Sequence, residues 1–170
     1  MENIIYRHIK IAGIDYLVMR SDRGYCYIGN DDDLTTDTYF NRFKNVTFVA
    51  SNTDDDFKEF IKTFTDYHNG LNPQFDFPMD FIGTPFQIKV WKHLMTIPYG
   101  KTESYQEVAE GIGQPTATRA CAHAISQNPL MIVAPCHRVL GKDRKLRGFR
   151  GGLGMKEKLL LHEGITDFKP

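Results

Sequence analysis

The chain has 170 residues, of which 41% are hydrophobic and 25% charged, and its 21 basic and 21 acidic side chains give a formal net charge of zero. This composition excludes an intrinsically disordered chain, and no apolar run approaches the ~20 residues of a membrane-spanning helix. Three cysteines and an N-terminus without a signal-peptide pattern argue against a secreted disulfide scaffold. We therefore expect a cytoplasmic protein, or a nuclear one in a eukaryote, with free thiols.

The charge is distributed unevenly along the chain. Residues 1–81 contain 8 Lys and Arg against 14 Asp and Glu, a net charge of −6, whereas residues 82–170 contain 13 against 7, a net charge of +6. The zero total speaks against a nucleic-acid partner, but the basic half suits contacts with phosphates. We place a domain boundary between residues 81 and 82.

The first part of the chain predicts a small α/β domain with a short antiparallel sheet. Residues 16–19 and 25–28 read as strands that flank Ser21-Asp22-Arg23-Gly24, a hairpin turn with glycine at positive φ. Residues 46–50 are a further candidate strand. Phenylalanines at helical spacing, after acidic residues that suit a helix start, predict a helix over residues 54–68.

The second part predicts helices with clear start signals. Thr84-Pro85-Phe86-Gln87 and Ser104-Tyr105-Gln106-Glu107 are both capping boxes. The short helix that begins after Ser104 is followed by a turn and an alanine-rich helix over residues 116–127, which is the outline of a helix-turn-helix. A final helix is expected over Leu153–His162. Together the two parts predict an α+β fold.

Cys136 is the main candidate for chemistry. It lies between an apolar run, residues 130–134, and a basic stretch, and nearby cations favour the thiolate, which is the nucleophilic form. His137 could serve as its base. The alternative is that Cys136 is a small buried apolar residue, as we expect for Cys26 and Cys121. No CxxC or HxxxH pair is present, so no metal site is predicted.

Arg119 is a candidate for binding DNA because it lies near the start of the second helix of the helix-turn-helix. The N-terminal residues of such a helix reach the nucleic acid, and helix N-termini favour phosphate. Small residues around it allow a close approach to a groove or, equally, close packing on other helices. The alternative is a solvated arginine on a helix face.

Several motifs of the C-terminal half resemble, in their order, those of the 6-O-alkylguanine-DNA alkyltransferases, also called methylated-DNA–protein-cysteine methyltransferases. The motifs are Phe86-Gln87-x-x-Val90-Trp91, Ile97-Pro98-x-Gly100-x-Thr102-x-Ser104-Tyr105, Arg119-Ala120, Asn128-Pro129, Pro135-Cys136-His137-Arg138-Val139, Gly151-Gly152-Leu153-x-x-Lys156 and Leu160-Leu161-His162-Glu163. The resemblance covers about residues 82–165, and the N-terminal part matches only in general character.

The resemblance implies direct reversal of DNA alkylation, with Cys136 as the alkyl acceptor that is consumed in a single turnover. His137 would be the base through a bridging water, and Glu163 would orient His137. Asn128 would hold the segment that carries Cys136, and Tyr105 would donate a proton to the departing guanine. No cofactor is implied, and 4-O-methylthymine would be a poorer substrate.

The same resemblance implies that the partner is double-stranded DNA containing alkylated guanine, bound by residues 82–170 of a monomer without an obligatory protein partner. Arg119 would enter the base stack where the target nucleotide rotates out, because a stacked base cannot be reached. The other candidate DNA contacts are Ser104, Thr116, Ala117, Thr118, Ala120, Arg138, Arg147 and Arg150. The candidate alkyl pocket comprises Met131, Val139, Phe149, Arg150 and Gly151.

Arg150 departs from the commoner pattern, in which a small residue follows the aromatic, and this leaves the preferred size of the alkyl group open. Two other functions compete with alkyl transfer. A module that binds alkylated DNA without repairing it would lack the acceptor cysteine, whereas Cys136 is present. A cysteine hydrolase built on Cys136 and His137 would turn over an ester or amide and would have no affinity for DNA.

Overall fold

The computed structural model describes residues 2–30, 43–147, 149 and 152–170. The chain divides into two compact units, Met1–Ile82 and Gly83–Pro170, a division that differs by one residue from the predicted boundary. The predicted α+β class is confirmed. None of the helices within the described ranges is long and apolar enough to cross a membrane.

The first unit is built on a four-stranded sheet: β1 (Glu2–Ile11), β2 (Ile14–Ser21), β3 (Gly24–Gly29) and β4 (Val46–Ala50). The strand order is β3-β2-β1-β4, in which the first three strands pair antiparallel and β4 pairs parallel to β1. The sequence predicted β2, β3 and β4 but not β1, whose side chains do not alternate cleanly between buried and exposed. The predicted turn glycine, Gly24, has φ +147°.

An aromatic core covers one face of this sheet. A 3-10 helix (Asp54–Phe57) leads into α1 (Lys58–His68), whose phenylalanines at helical spacing point at the sheet. The rings of Phe60 and Phe64 meet Tyr16 edge-on at centroid distances of 5.7 and 5.3 Å. Such pairs add to the apolar area that they bury.

The second unit is mainly helical. Its helices are α2 (Pro85–Leu94), α3 (Tyr105–Gly111), α4 (Thr118–Ser126) and α5 (Leu153–His162), and its two short strands β5 (Glu103–Ser104) and β6 (Val139–Leu140) pair in parallel. Both predicted capping boxes are present, at Thr84 with Gln87 and at Ser104 with Glu107. The helix predicted over residues 116–127 is shorter at both ends.

Helix α2 fixes the C-terminal end of α4. The indole nitrogen of Trp91 donates to the carbonyl oxygen of Ala124 at 2.8 Å, and Gln87 Nε2 donates to Gln127 Oε1 at 2.8 Å. Trp91 is fully buried. The segment that follows α4 therefore leaves from a fixed point, and this segment carries Asn128 and then Cys136.

Candidate active site

The Cys136 thiol lies in a short 3-10 helix, Cys136–Arg138, at the end of a buried turn. The sulfur is 3.1 Å from Nδ2 of Asn128, and Cys136 is 3% exposed. Asn128 also donates to the carbonyl oxygen of Ala134 at 2.6 Å and accepts from the amide of Leu130 at 3.1 Å. One buried amide side chain thus ties the beginning and end of the turn to the sulfur.

His137 and Glu163 form a buried pair. Nε2 of His137 is 2.5 Å from Oε2 of Glu163, and both side chains are fully buried. A carboxylate can only accept, so the proton of this bond lies on Nε2. Nδ1 of His137 has no hydrogen-bond partner among the described residues, so its lone pair is available to a proton from outside the pair.

Glu163 is also bound by Arg138 and by the backbone. Nε and Nη2 of Arg138 donate to the two carboxylate oxygens at 2.8 and 3.1 Å, and the amide of Gly100 donates to Oε1 at 3.0 Å. Burial by itself raises the pKa of Glu163, but the hydrogen bonds and charges of His137 and Arg138 outweigh it and hold this pKa well below its usual value. Glu163 is therefore an anion at neutral pH.

Burial, aided by two nearby cations, keeps the ring of His137 neutral. Burial lowers the pKa of His137 below 6.5, the positive charges of Arg138 and Lys156 lower it further, and Glu163 opposes this shift only in part. With the proton on Nε2, the neutral ring presents an unprotonated Nδ1, which is the form that can act as a base.

The structure contradicts one predicted role. Arg138 was predicted to contact DNA, but its side chain is buried and all three guanidinium nitrogens are bonded, the third to the carbonyl oxygen of Ile97 at 2.7 Å. A carboxylate 25 residues further along the chain holds this arginine inside the protein. Arg138 therefore belongs to the buried hydrogen-bond network of Glu163.

A cleft of about 780 Å³ brings together several of the residues predicted to bind DNA. Its lining includes Tyr105, Thr116, Thr118, Arg119, Ala122, Ser126 and Arg147. Arg119 is exposed at the second position of α4. Burial, aided by the charge of Cys136, raises the pKa of Tyr105 to about 12, so its hydroxyl keeps its proton at neutral pH.

The remaining predicted site residues have varied environments. Thr116 and Ala120 are exposed, Ala117 is partly buried, and Ser104 caps α3 by accepting from the amide of Glu107.

Of the predicted alkyl pocket, Met131, Val139 and Phe149 are buried and do not line the cleft. Arg150 and Gly151 lie outside the described residues.

Lys156 is a site residue whose role sequence reasoning missed. Its fully buried ammonium donates to the carbonyl oxygens of Val139 at 2.6 Å and Arg147 at 3.1 Å, and it lies 5.9 Å from the ring centroid of Tyr105. Burial lowers the pKa of Lys156 to about 8. Lys156 precedes Leu159 and Leu160 by three and four residues, so it lies on the same buried face of α5. This spacing could have predicted that its side chain is buried.

The other two cysteines, Cys26 and Cys121, are also buried, and neither forms a disulfide bond. Burial raises the pKa of each. Among the residues that the structure describes, no group of three or more His, Cys, Asp and Glu side chains could hold a metal ion.

The sequence and the fold both match known proteins. Residues 85–165 match the family described as 6-O-methylguanine DNA methyltransferase, DNA binding domain. Over 107 residues the chain is 45% identical to the inducible methylated-DNA–protein-cysteine methyltransferase of Bacillus subtilis, and the match covers 63% of this chain and 60% of that protein. The chain thus spans about three-fifths of the length of such curated relatives.

Two crystal structures from Mycobacterium tuberculosis match nearly the whole chain. The O6-methylguanine methyltransferase is similar with a TM-score of 0.77 and 34% identity, over 94% of this chain and 92% of that one. The structure of OGT in complex with DNA gives a TM-score of 0.77 and 35% identity over the same shares. The similarity therefore includes the first unit, where the sequence motifs are few.

Proposed function

Because the chain belongs to the family of methylated-DNA–protein-cysteine methyltransferases, we propose that it repairs DNA by transferring the methyl group of 6-O-methylguanine to Cys136. The observation that carries the proposal is the arrangement of Cys136 beside Asn128 and the buried His137–Glu163 pair. A thiol with a neutral histidine and an acidic partner has the composition of an activated nucleophile.

The first step in this mechanism is removal of the thiol proton. Nδ1 of His137 takes the proton of Cys136 through a bridging water, and the imidazolium that forms is held by the anionic Glu163 at Nε2. The Nδ2–H of Asn128 points at the sulfur and stabilises its negative charge, because hydrogen bonds to an ionised group are the stronger ones.

The thiolate then attacks the methyl carbon in a single displacement. The S–C bond forms as the C–O6 bond breaks, and the electron pair of the broken bond passes to guanine, which takes up one proton. Tyr105 is the proposed donor of that proton, since its hydroxyl remains protonated at neutral pH and faces the cleft. The reaction needs no cofactor because DNA supplies the methyl group and the thiol accepts it.

Binding of double-stranded DNA is assigned to the second unit. The cleft at the start of α4 carries Arg119 and Arg147, and residues 82–170 have a net charge of +6. The target base leaves the stack to reach Cys136, and Arg119 fills the space that it leaves. Thr116, Ala117, Thr118 and Ala120 are the proposed groove contacts along the same helix start.

The product is a thioether, which is stable to hydrolysis, so each chain accepts one methyl group and is consumed. One chain suffices for the reaction, and we propose that the protein acts as a monomer. Because its substrate is DNA, we expect the protein in the cytoplasm of a prokaryote or in the nucleus of a eukaryote. 4-O-methylthymine, with the same methyl ether, is a proposed poorer substrate.

Transfer of a labelled methyl group tests this function. The intact protein is incubated with a duplex that contains one 6-O-[³H-methyl]guanine, and the label is located by peptide mapping. We expect one label per chain at Cys136, none in Cys136→Ala, and full labelling in Cys26→Ala, the matched change at a buried cysteine of the first unit.

Other outcomes would identify the competing functions. Preferential binding of the alkylated duplex with no label on the protein would make it a recognition module. Hydrolysis of an ester or amide with many turnovers, dependent on Cys136 and without affinity for DNA, would make it a hydrolase. Either result, or equal labelling in Cys136→Ala, contradicts the proposed methyl transfer.

A further inference from the structure

We propose that Arg138 is a positioning residue for the reaction, which keeps His137 in the neutral form with its proton on Nε2. It does so by binding the same carboxylate that His137 contacts, so that Glu163 orients the imidazole without drawing a second proton onto it. This inference rests on the proposed function for its consequence, but the state of His137 can be measured without any reaction.

The geometry places Arg138 and His137 in competition for Glu163. Oε2 of Glu163 accepts from Nη2 of Arg138 at 3.1 Å and faces Nε2 of His137 at 2.5 Å, while Oε1 accepts from Nε of Arg138 at 2.8 Å. The carboxylate therefore shares its negative charge between a permanent cation and a ring that can titrate. Each hydrogen bond that the carboxylate accepts from the guanidinium weakens its stabilisation of an imidazolium.

Arg138 is itself held in one orientation. Its Nη1 donates to the carbonyl oxygen of Ile97 at 2.7 Å, and its guanidinium lies 5.7 Å from the ring centroid of Tyr99. The side chain is 8% exposed. The planar guanidinium, held by its three partners, sets the plane of the Glu163 carboxylate, and that plane sets the direction in which His137 points. The ammonium of a lysine has one nitrogen and cannot orient a carboxylate in this way.

The charged groups that face His137 come from two elements. The 3-10 helix supplies Arg138, and the C-terminal helix supplies Lys156 within α5 and Glu163 directly after its last residue. Of these, Glu163 favours the protonated ring, whereas Arg138 and Lys156 disfavour it. Removing Arg138 leaves the anion beside the ring with one cation fewer, so the pKa of His137 rises.

The consequence concerns the first step of the mechanism. An imidazole that already carries a second proton cannot take one from the thiol, so the rate would fall at neutral pH and recover in alkaline solution. With Arg138 in place, the ring stays neutral until the thiol proton arrives, and Glu163 then stabilises the resulting cation. One pKa unit corresponds to a tenfold change in the ratio of the two forms.

The test combines a titration with a rate profile in the full-length protein. Nitrogen NMR of ¹⁵N-histidine-labelled protein follows the protonation state and tautomer of His137 from pH 5 to 9, with His137→Gln to assign the signal. The rate of labelled-methyl transfer from the duplex is measured over the same range. The variants are Arg138→Met, Arg138→Lys and, as a matched change to an arginine–carboxylate pair of the first unit, Arg7→Met.

In Arg138→Met we expect the titration midpoint of His137 and the pH of half-maximal transfer both to rise by at least one unit. One pH unit below the new midpoint, the rate should be about tenfold lower than the rate of the same variant at pH 9. Arg138→Lys, which keeps the charge but not the fork, should show less than half of the shift. Arg7→Met should follow the unmodified protein.

Two results would overturn the inference. One is an unchanged His137 titration in folded Arg138→Met, and the other is a loss of rate that is equal at every pH; both describe a role in packing alone. If Arg138→Met fails to fold, Arg138→Gln, which also removes the charge, is judged by the same criteria. A protein that transfers no methyl group at any pH refutes the proposed function, while the titration still decides the role of Arg138.

Discussion

The side-chain amide of Asn128 donates to the sulfur of Cys136 across 3.1 Å. Asn128 lies two residues after the end of α4 and Cys136 opens the 3-10 helix, so this bond links the helix that begins with the DNA-binding candidates to the nucleophile. The same amide group also bonds the carbonyl oxygen of Ala134 and the amide of Leu130. The position of the sulfur therefore depends on one buried side chain.

Asn128→Ala should lower both stability and the rate of methyl transfer. It leaves the buried amide of Leu130 and carbonyl of Ala134 without this partner, and each such group costs roughly 1–3 kcal/mol. We expect the free energy of unfolding in urea to fall by about 2–4 kcal/mol. Asn52→Ala, at an exposed asparagine of the first unit, should change neither quantity; a stable Asn128→Ala with full activity would contradict this account.

Glu163→Gln should destabilise the protein in a pH-dependent way. Breaking a buried ion pair costs about 3–5 kcal/mol. Because the folded-state pKa of Glu163 lies below its usual 4.5, its contribution is complete above pH 4.5 and is lost as the pH falls below that value. The difference in unfolding free energy between the two proteins should therefore be constant at neutral pH and shrink in acid.

The control for this change is Glu157→Gln, at an exposed position of α5, the helix that ends directly before Glu163. Its unfolding free energy should follow that of the unmodified protein at every pH. Urea denaturation monitored by circular dichroism from pH 3 to 8 measures both variants. If the difference in unfolding free energy between Glu163→Gln and the unmodified protein grows as the pH falls, the predicted direction of the pH dependence is wrong.

Lys156→Met should reveal the cost of burying an ammonium group. The pKa of Lys156 is lowered from 10.5 to about 8, so between these values the unfolded chain holds a proton that the folded one has released, and stability rises with pH. Relative to Lys156→Met, the unmodified protein should gain up to about 3 kcal/mol between pH 8 and 10.5.

Denaturation at a series of pH values measures this gain, and Lys158→Met provides the comparison at an exposed lysine two positions away. Carbon NMR of ¹³C-lysine-labelled protein should also show one resonance that titrates near pH 8 and disappears in Lys156→Met. A Lys156 resonance that titrates near 10.5 would refute the predicted cost.

Arg119→Ala should impair reaction with duplex DNA but not with the free base. Arg119 is exposed at the start of α4, and its proposed task exists only when a base must leave the stack. We expect the transfer rate from a 6-O-methylguanine duplex to fall at least tenfold, and that from free 6-O-benzylguanine to change less than twofold. Equal losses on both substrates would place Arg119 in the chemistry instead.

Features that depend on near neighbours in the chain were predictable. The capping boxes at Ser104 and Thr84 join residues three apart, and the structure has both. The periodic apolar face that predicted α1, and the glycine of the hairpin turn, follow from local geometry in the same way. The strand β1 was missed because its side chains are mostly half-buried, which hides the alternation on which strand prediction depends.

Features that depend on distant parts of the chain were not predictable. Arg138 has the charge and the hydrogen-bond donors of a DNA contact, yet it binds a carboxylate 25 residues away and a carbonyl 41 residues away. Lys156 bonds a carbonyl 17 residues away. Burial changes what a charged side chain does, because a buried charge must find partners and can no longer reach the solvent or a ligand.

The sequence by itself determined the helices of the second unit, the family resemblance and the choice of Cys136, since these rest on residue types and short spacings. Only the tertiary structure decided that Asn128 contacts the sulfur, that Glu163 is shared by His137 and Arg138, and that Lys156 is buried beside Tyr105. The protonation states that the proposed reaction needs are set by burial and by charges that folding brings together, and neither can be read from the order of the residues.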